Sequence, residues 1–231
     1  VAIPYDGALS LPPFLASILT VFWLSGLTNA YNLLDGMDGL FSTVSGSAAL
    51  FISFAGFLLG NTEAAIVAAI LGASLFSLIP ENSPPARIFP GDSASMTTGF
   101  LLGLLTLLCL RKPSGEVELF PALLFHGVAL YDTAFVFTKR LLEKRSPFLP
   151  GLDHIHHRVL DLTGSVGKSL LTIISLHLLL SFLGFSLLFR EATLPALAVT
   201  GLLATALLSW RKIRRLFLVA AGVRKKDSPG G

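Results

Sequence analysis

The amino-acid sequence predicts an all-α protein, a polytopic membrane helix bundle with about seven transmembrane helices. Hydrophobic residues make up 53% of the chain and charged residues only 13%, whereas about a quarter of a soluble domain is charged. The mean hydropathy is +0.75. The apolar residues also fall into long blocks, most of them near the ~20 residues that a helix needs to cross a bilayer.

Each apolar block is expected to be a helix, because hydrocarbon offers no partner to an exposed backbone N–H or C=O group. Two of the blocks are short enough to be tilted or partly interfacial, namely 64–79 and 96–110. The complete set of predicted spans is 11–34, 40–59, 64–79, 96–110, 119–138, 169–189 and 193–210.

The basic residues indicate how these helices are oriented. If the connections alternate between the two sides, 81–93, 139–168 and 211–231 share one side and hold fourteen of the 17 Lys and Arg residues. Such an excess marks the cytoplasmic side. It also explains the pI of about 9.2 without nucleic acid as a partner. The single cysteine, Cys109, excludes a disulfide framework and a cysteine-based metal site.

The first polar cluster lies at the cytoplasmic end of the first apolar segment. Asn29, Asn32, Asp35 and Asp38 recur every three residues, a spacing that forms a slanting stripe on one face of a helix. A carboxylate at the bilayer centre costs at least ~2.5–3.5 kcal/mol, so we expect these residues near the interface or lining a wet cavity. The alternative is a helix end followed by a glycine-rich turn with solvated aspartates.

The second cluster is the proline-rich connection 82–93. Its three prolines keep it out of a helix, and Asp92 directly precedes the next apolar helix. One interpretation makes Asp92 or Ser93 the N-cap of that helix. The other makes Asp92 a hard-oxygen ligand for Mg²⁺, facing phosphates near the same helix N-terminus.

The third cluster lies in the longest cytoplasmic connection and consists of His154, His156, His157 and Arg158. Zn²⁺ ligation is one interpretation, although the spacing fits no standard structural zinc site. Binding of phosphate oxygens by imidazolium and guanidinium groups is another, and a solvated turn is the third.

Three further polar residues lie singly inside apolar segments. Asp132 is a functional candidate because it is an intramembrane acid, or else a partner of the nearby Lys139 and Arg140. His126 and His177 are interpreted as packed helix residues.

Together the clusters resemble the polyprenyl-phosphate N-acetylhexosamine-1-phosphate transferases of glycosyltransferase family 4, in the undecaprenyl-phosphate N-acetylglucosaminyl-1-phosphate transferase branch. The matching stretches are TNAYNLLDGMDGL at 28–40, NSPPARIFPGDSASMTTGFLLG at 82–103 and SPFLPGLDHIHHRVL at 146–160. They occur in the family's order, and the resemblance covers nearly the whole chain. The His-Ile-His-His form is closer to this branch than to the phospho-N-acetylmuramoyl-pentapeptide transferases.

The resemblance implies a role for each polar residue. Asp92 is expected to be the principal Mg²⁺ ligand, with Asp35 and Asp38 as further metal ligands and Mn²⁺ as the alternative ion. Asn82 and Phe89 are expected on the uridine side. The implied catalytic residues are Asp35, Asp38, Asp92, His154, His156 and His157. The implied substrate-binding residues are Asn29, Asn32, Asn82, Phe89 and Arg158.

The implied reaction moves a sugar-1-phosphate from a UDP-sugar to polyprenyl phosphate and releases UMP. The expected partners are the UDP-sugar, polyprenyl phosphate and membrane lipid, with a homodimer left open and no nucleic acid. The protein is expected in the bacterial inner membrane, with its active site on the cytoplasmic face, where it would initiate a cell-envelope glycopolymer. Residues 1–210 would form the transferase domain, with cytoplasmic loops 81–93 and 139–168, and 211–231 a basic cytoplasmic tail.

Two departures from the family pattern give further expectations. The family has additional N-terminal helices and an adjacent pair of aspartates upstream, and no such pair occurs in these 231 residues. We therefore expect an N-terminally incomplete chain or an incomplete active site. The histidine loop also lacks the arginine that the family places before its first histidine. The alternative functions are an inactive or truncated homologue and a polytopic transporter, whose polar residues would lie near helix midpoints.

Overall fold

The structure is a computed structural model that describes residues 12–146, 151 and 153–189. Within these residues the chain forms nine α-helices, and the only β pairing there is an isolated bridge between Arg111 and Val117. The all-α class is therefore confirmed. The helices are α1 Pro13–Asn32, α2 Leu40–Leu58, α3 Thr62–Ser77, α4 Ile79–Asn82, α5 Gly91–Cys109, α6 Leu119–Phe125, α7 Gly127–Leu142, α8 Ile155–Thr163 and α9 Val166–Leu188.

Four of the described helices, α1, α2, α5 and α9, are long and apolar enough to cross a membrane. Helices α6 and α7 together form a fifth candidate, which bends by 81° at their junction. Helix α3 is apolar but has only 16 residues. These helices confirm the polytopic class, whereas the number of seven spans stays unconfirmed. The predicted span 193–210 and the predicted tail 211–231 lie outside the described residues.

Two predicted helix boundaries are wrong. Helix α5 begins at Gly91, not at Met96, because the polar residues before Met96 continue the helix beyond its apolar part. The predicted span 119–138 is broken at His126, and its second half continues to Leu142. Hydrophobicity locates the part of a helix that lies in lipid, so it misses a polar first turn and a bend between two apolar halves.

Close packing of α1 against α5 brings two polar helix ends together. A Cβ atom added at Gly99 of α5 would stand 2.6 Å from the carbonyl oxygen of Leu27 in α1. The two backbones touch at this point, as small residues permit between membrane helices. The contact places the last turn of α1, with Asn32, beside the first turn of α5, with Asp92.

Helix α2 lies in the middle of the bundle and packs against α3, α5 and α9. Its sequence is rich in Ser, Gly and Ala, and 67% of its most apolar stretch is buried inside the protein. By contrast, Phe14 and Phe22 of α1 are 78% and 75% exposed, as expected for side chains that face lipid. The core therefore runs through α2, and the polar connections gather at one end of it.

Candidate active site

The turn between α1 and α2 is hydrogen-bonded to the loop that precedes α5. The Gly91 N–H donates to Asp35 Oδ2 over 2.8 Å, and the Ala86 N–H donates to Asp38 Oδ2 over 3.0 Å. Helix α1 ends at Asn32, so the predicted helical stripe does not extend to these two aspartates. The turn that replaces it does not leave them simply solvated, because each carboxylate anchors the neighbouring loop.

The end of α1 is also joined to the start of α5. The Ser95 hydroxyl donates to Asn32 Oδ1, and Ser95 is fully buried. Asn29, one turn earlier on α1, is exposed. Of the two predicted asparagines, the structure thus builds Asn32 into the helix junction and leaves Asn29 at the surface.

Asp92 is an exposed residue in the first turn of α5. The N-cap of this helix is Pro90, and no side chain caps it, so the interpretation of Asp92 or Ser93 as the N-cap is wrong. Asp92 acts electrostatically on Asp35. Partial burial raises the pKa of Asp35, the Gly91 N–H partly offsets this, and the charge of Asp92 raises it further.

The two aspartates Asp35 and Asp92 form a donor set that fits Mg²⁺. Asp35 Oδ1 is buried without a hydrogen-bond partner, and a cation would satisfy it and relieve the repulsion from Asp92. Among the described residues there is no group of three His, Cys, Asp or Glu side chains placed to hold a metal ion. Mg²⁺ does not need one, because it binds through one or two carboxylates, substrate phosphates and water. Ligation by Asp35, Asp38 and Asp92 stays a prediction.

Asn82 holds the proline-rich loop in place from inside the protein. It is fully buried, its Oδ1 accepts a hydrogen bond from Ser42 over 2.7 Å, and its Nδ2 donates to the Ile88 carbonyl over 2.9 Å. Phe89, the next residue of the loop, is 48% exposed. The uridine contacts predicted for Asn82 and Phe89 stay predictions, with Phe89 the more accessible of the two.

The histidine cluster begins the short helix α8. It packs against the turn 33–39, which carries Asp35 and Asp38 and which we call the aspartate turn. His156 is 4% exposed, and its imidazole lies against Gly36. Its ring centroid is 4.2 Å from that of His157 and 5.8 Å from that of His154. Burial, together with the neighbouring His157, lowers the pKa of His156 to about 4. His156 is therefore neutral at pH 7, where it can exchange hydrogen bonds but carries no charge.

Asp132 of α7 is bonded to the histidine cluster, not to the cations of its own helix. Its Oδ2 pairs with His154 Nδ1 over 2.9 Å, and its Oδ1 accepts the Ile155 N–H over 2.6 Å. Lys139 and Arg140 instead contact Asp153.

Arg158, the last residue of the cluster, is exposed, and its guanidinium lies 4.0 Å above the Phe135 ring. This stacking holds the charge at the surface next to α7. Phosphate or sugar recognition by Arg158 stays a prediction.

Sequence reasoning missed the residues that join these elements. Gly36 and Ser95 lie within the matching stretches 28–40 and 82–103, and Ser42 lies just beyond the first of them. None of the three carries a charge, so no role was predicted for them. Asp132 did carry a signal, because an acid inside an apolar segment is functional by default, but its partner could not be read from sequence.

A second polar group lies in the bundle interior. His126, at the α6–α7 bend, is bonded through Nδ1 to the Tyr31 hydroxyl and through Nε2 to the Thr106 hydroxyl, each over 2.8 Å. His126 and His177 are both fully buried, which confirms that they are packed residues. These bonds fix the bend against α1 and α5.

Comparison with known proteins shows that the chain is similar to one family of transferases. A family model described as glycosyl transferase family 4 matches residues 1–110. The probable undecaprenyl-phosphate N-acetylglucosaminyl 1-phosphate transferase of Bacillus subtilis (strain 168) is 33% identical over 160 residues, which are 69% of this chain and 45% of that protein.

Two further relatives give similar values. The undecaprenyl-phosphate alpha-N-acetylglucosaminyl 1-phosphate transferase of Thermotoga maritima is 32% identical over 169 residues, 73% of this chain and 51% of that protein. The phospho-N-acetylmuramoyl-pentapeptide-transferase of Clostridium beijerinckii is 30% identical over 173 residues, 71% of this chain and 49% of that protein. The chain thus spans about half the length of the curated relatives it matches.

Proposed function

The chain belongs to glycosyl transferase family 4, and from this premise we propose that it transfers an N-acetylhexosamine-1-phosphate from a UDP-sugar to polyprenyl phosphate and releases UMP. In bacteria this lipid is undecaprenyl phosphate, the substrate named for two of the relatives. One observation carries the proposal: the turn 33–39, the loop 83–91 and helix α8 meet at one end of the bundle. We call this end the motif end.

The proposed reaction needs a site that holds two anions together. A lipid-phosphate oxygen attacks the sugar-linked phosphorus of the UDP-sugar, a new P–O bond forms, and the bond to the UMP oxygen breaks. Phosphoryl transfer depends mainly on positioning and on neutralising charge. The motif end supplies carboxylates in its aspartate turn and histidines in α8, at the level where a lipid headgroup meets water.

Asp35 and Asp92 would hold a Mg²⁺ ion, with Asp38 beside them. When bound, the ion supplies the positive charge that lets two phosphate groups approach each other. Asp38 holds the loop 83–91 in place by accepting a hydrogen bond from the Ala86 N–H. His156, on α8, packs against the aspartate turn. These residues would fix the positions of both substrates.

We further propose that the motif end faces the cytoplasm, where UDP-sugars are made, and that the protein lies in the bacterial inner membrane. The excess of Lys and Arg on that side supports the orientation. The product would be the lipid-linked first sugar of a cell-envelope glycopolymer.

The test is UMP release by the protein produced from its complete gene and purified in detergent, with UDP-N-acetylglucosamine, undecaprenyl phosphate and Mg²⁺. We expect release that requires both the lipid and Mg²⁺ and that Asp92→Ala abolishes. Glu63→Gln is the matched control, since Glu63 is an exposed acid in the first turn of α3, at the opposite end of the bundle. Release that is equal in the absence of undecaprenyl phosphate would contradict the proposal.

A further inference from the structure

The contact between Asp132 and His154 assigns a proton to one nitrogen of this histidine. A carboxylate accepts hydrogen bonds and does not donate them, so the 2.9 Å contact with Asp132 Oδ2 requires a hydrogen on His154 Nδ1. In the neutral ring, the other nitrogen, Nε2, is then an acceptor. Asp132 is 1% exposed and the His154 side chain 11% exposed, so water competes little for this hydrogen bond.

Asp132 also fixes the backbone on which His154 sits. Helix α8 has His154 as its N-cap, and the His154 side chain forms no capping bond. The Ile155 N–H, one of the donors that a helix start leaves without a partner, is satisfied by Asp132 Oδ1 instead. One buried carboxylate of α7 therefore holds both the ring of His154 and the first turn of its helix.

We propose that Asp132 is a positioning residue that keeps His154 as its Nδ1–H tautomer and presents Nε2 to the phosphate groups of the substrates. This proposal rests on the proposed transferase function. With Nε2 free, His154 can accept a proton from, or as an imidazolium donate a hydrogen bond to, a phosphate oxygen. In the opposite, Nε2–H tautomer, Nδ1 would have no hydrogen to donate to Asp132, and Nε2 would be a donor and not an acceptor.

The substitution Asp132→Asn separates this role from a merely structural one. The amide oxygen can still accept the Ile155 N–H, so the cap of α8 is retained. The amide nitrogen, however, donates a hydrogen bond, which favours a bare Nδ1 and moves the hydrogen of His154 to Nε2. Asp132→Glu keeps a carboxylate and should retain the Nδ1–H form. Asp161→Asn is the matched control, since Asp161 is an exposed acid on the same helix α8.

The first measurement is independent of activity. The protein is labelled with ¹⁵N-histidine, and the ring nitrogens of the histidines are observed by NMR, with His154 assigned from the signal that His154→Gln removes. We expect the Nδ1–H tautomer in the parent protein and in Asp161→Asn, and the Nε2–H tautomer in Asp132→Asn. An Nε2–H tautomer in the parent, or a tautomer unchanged in Asp132→Asn, would overturn the proposal even if the protein releases UMP.

The second measurement is the rate of UMP release. Loss of the carboxylate that orients a metal-bound histidine typically costs roughly 10–100-fold. Asp132 orients His154 in the same way, so we expect kcat of Asp132→Asn to fall by about this factor with little change in KM. Because Asp132 acts through His154, Asp132→Asn should cause no further loss when combined with His154→Gln. Independent, multiplying losses would refute the positioning role. A parent protein that releases no UMP would refute the proposed function and leave the tautomer result standing.

Discussion

The imidazole of His156 lies against the backbone of Gly36, so closely that a Cβ atom added at residue 36 would stand 2.7 Å from Nε2 and 2.9 Å from Cε1. No side chain larger than hydrogen fits between the aspartate turn and α8 without displacing the ring. The turn and the histidine cluster are therefore held at a spacing that this glycine sets.

We expect Gly36→Ala to lower UMP release on the order of 10²-fold, because displacement by about 1 Å at a reaction centre has an effect of that size. The fold should survive, since Gly36 is exposed and its backbone is not in the left-handed region. The readouts are the rate and the melting temperature. Gly167→Ala is the control, because an added Cβ there meets nothing within 4 Å. Full activity in Gly36→Ala would show that the spacing is not needed.

Asp92 is an exposed first-turn residue and not a helix cap, which sharpens the test of its role as a metal ligand. We expect Asp92→Asn to keep the melting temperature and to lower the rate on the order of 10²-fold, the scale seen when one charge-stabilising group is removed. The rate should also need more Mg²⁺ to saturate. An unchanged rate at low Mg²⁺ would exclude Asp92 as a ligand, and Glu63→Gln should behave as the parent does.

The sequence was sufficient to predict the helical class, because long apolar blocks satisfy their backbone groups in a membrane by forming helices. It was also sufficient to predict that the three motif segments lie on one side, because the connections between membrane helices alternate between the two sides. By contrast, the sequence could not show whether the helical stripe extends to Asp35 and Asp38. The spacing of three residues continues past Asn32, but α1 ends there, and Gly39, with φ of 75°, closes the turn. Periodicity alone does not reveal where a helix stops.

The contacts that assemble the site were less predictable still. Lys139 and Arg140 lie on the same helix as Asp132. Asp132 nevertheless contacts His154, which is 22 residues away in the chain. Asp153 takes both cations instead. Local charge pairing is a sound first assumption for a helix, but a buried carboxylate is partnered by whatever element packs over it, and only the tertiary structure decides which.

Ser42 provides a test of how Asn82 acts. The Ser42 hydroxyl donates to Asn82 Oδ1 inside the protein, so Ser42→Ala leaves that oxygen buried without a donor, at a cost of about 1–3 kcal/mol. We expect a lower melting temperature and a higher KM for the UDP-sugar, since the loop 83–91 loses an anchor. Ser45→Ala is the control, because the buried Ser45 hydroxyl donates to the Phe41 carbonyl of its own helix. A normal KM in Ser42→Ala would mean that Asn82 does not act through the loop.

Asp153 gives the connection between α7 and α8 a defined dependence on pH. Hydrogen bonds from Lys139 and Arg140, together with the charges of Lys139 and Arg145, lower the pKa of Asp153 to about 2. A carboxyl with a lowered folded-state pKa stabilises the fold above its unfolded value of about 3.9, and this stabilisation is lost as the pH falls towards 2.

The melting temperatures of the parent and of Asp153→Asn, measured from pH 7 to pH 2.5, test this sign. We expect the parent to be more stable between pH 5 and 7, and the difference to shrink as the pH falls below about 4. Asp161→Asn should follow the parent throughout. A difference that is constant down to pH 2.5, or that grows as the pH falls, would show that the ion pairs of Asp153 do not stabilise the fold.

The orientation of the bundle is open to a direct test because the chain has one cysteine, Cys109, which is fully buried in α5. Single cysteines can therefore be introduced without removing it. Ser93 in the first turn of α5 and Leu162 of α8 are exposed at the motif end, and Ser114 is exposed in the connection between α5 and α6. Since α5 separates Ser93 from Ser114, a helix that crosses the membrane must place them on opposite sides.

A membrane-impermeant maleimide added to spheroplasts should label Ser114→Cys and should reach Ser93→Cys and Leu162→Cys only after the membrane is opened. The reverse pattern would place the motif end outside the cell and separate it from cytoplasmic UDP-sugars, and equal labelling of Ser93→Cys and Ser114→Cys in intact spheroplasts would refute α5 as a membrane span.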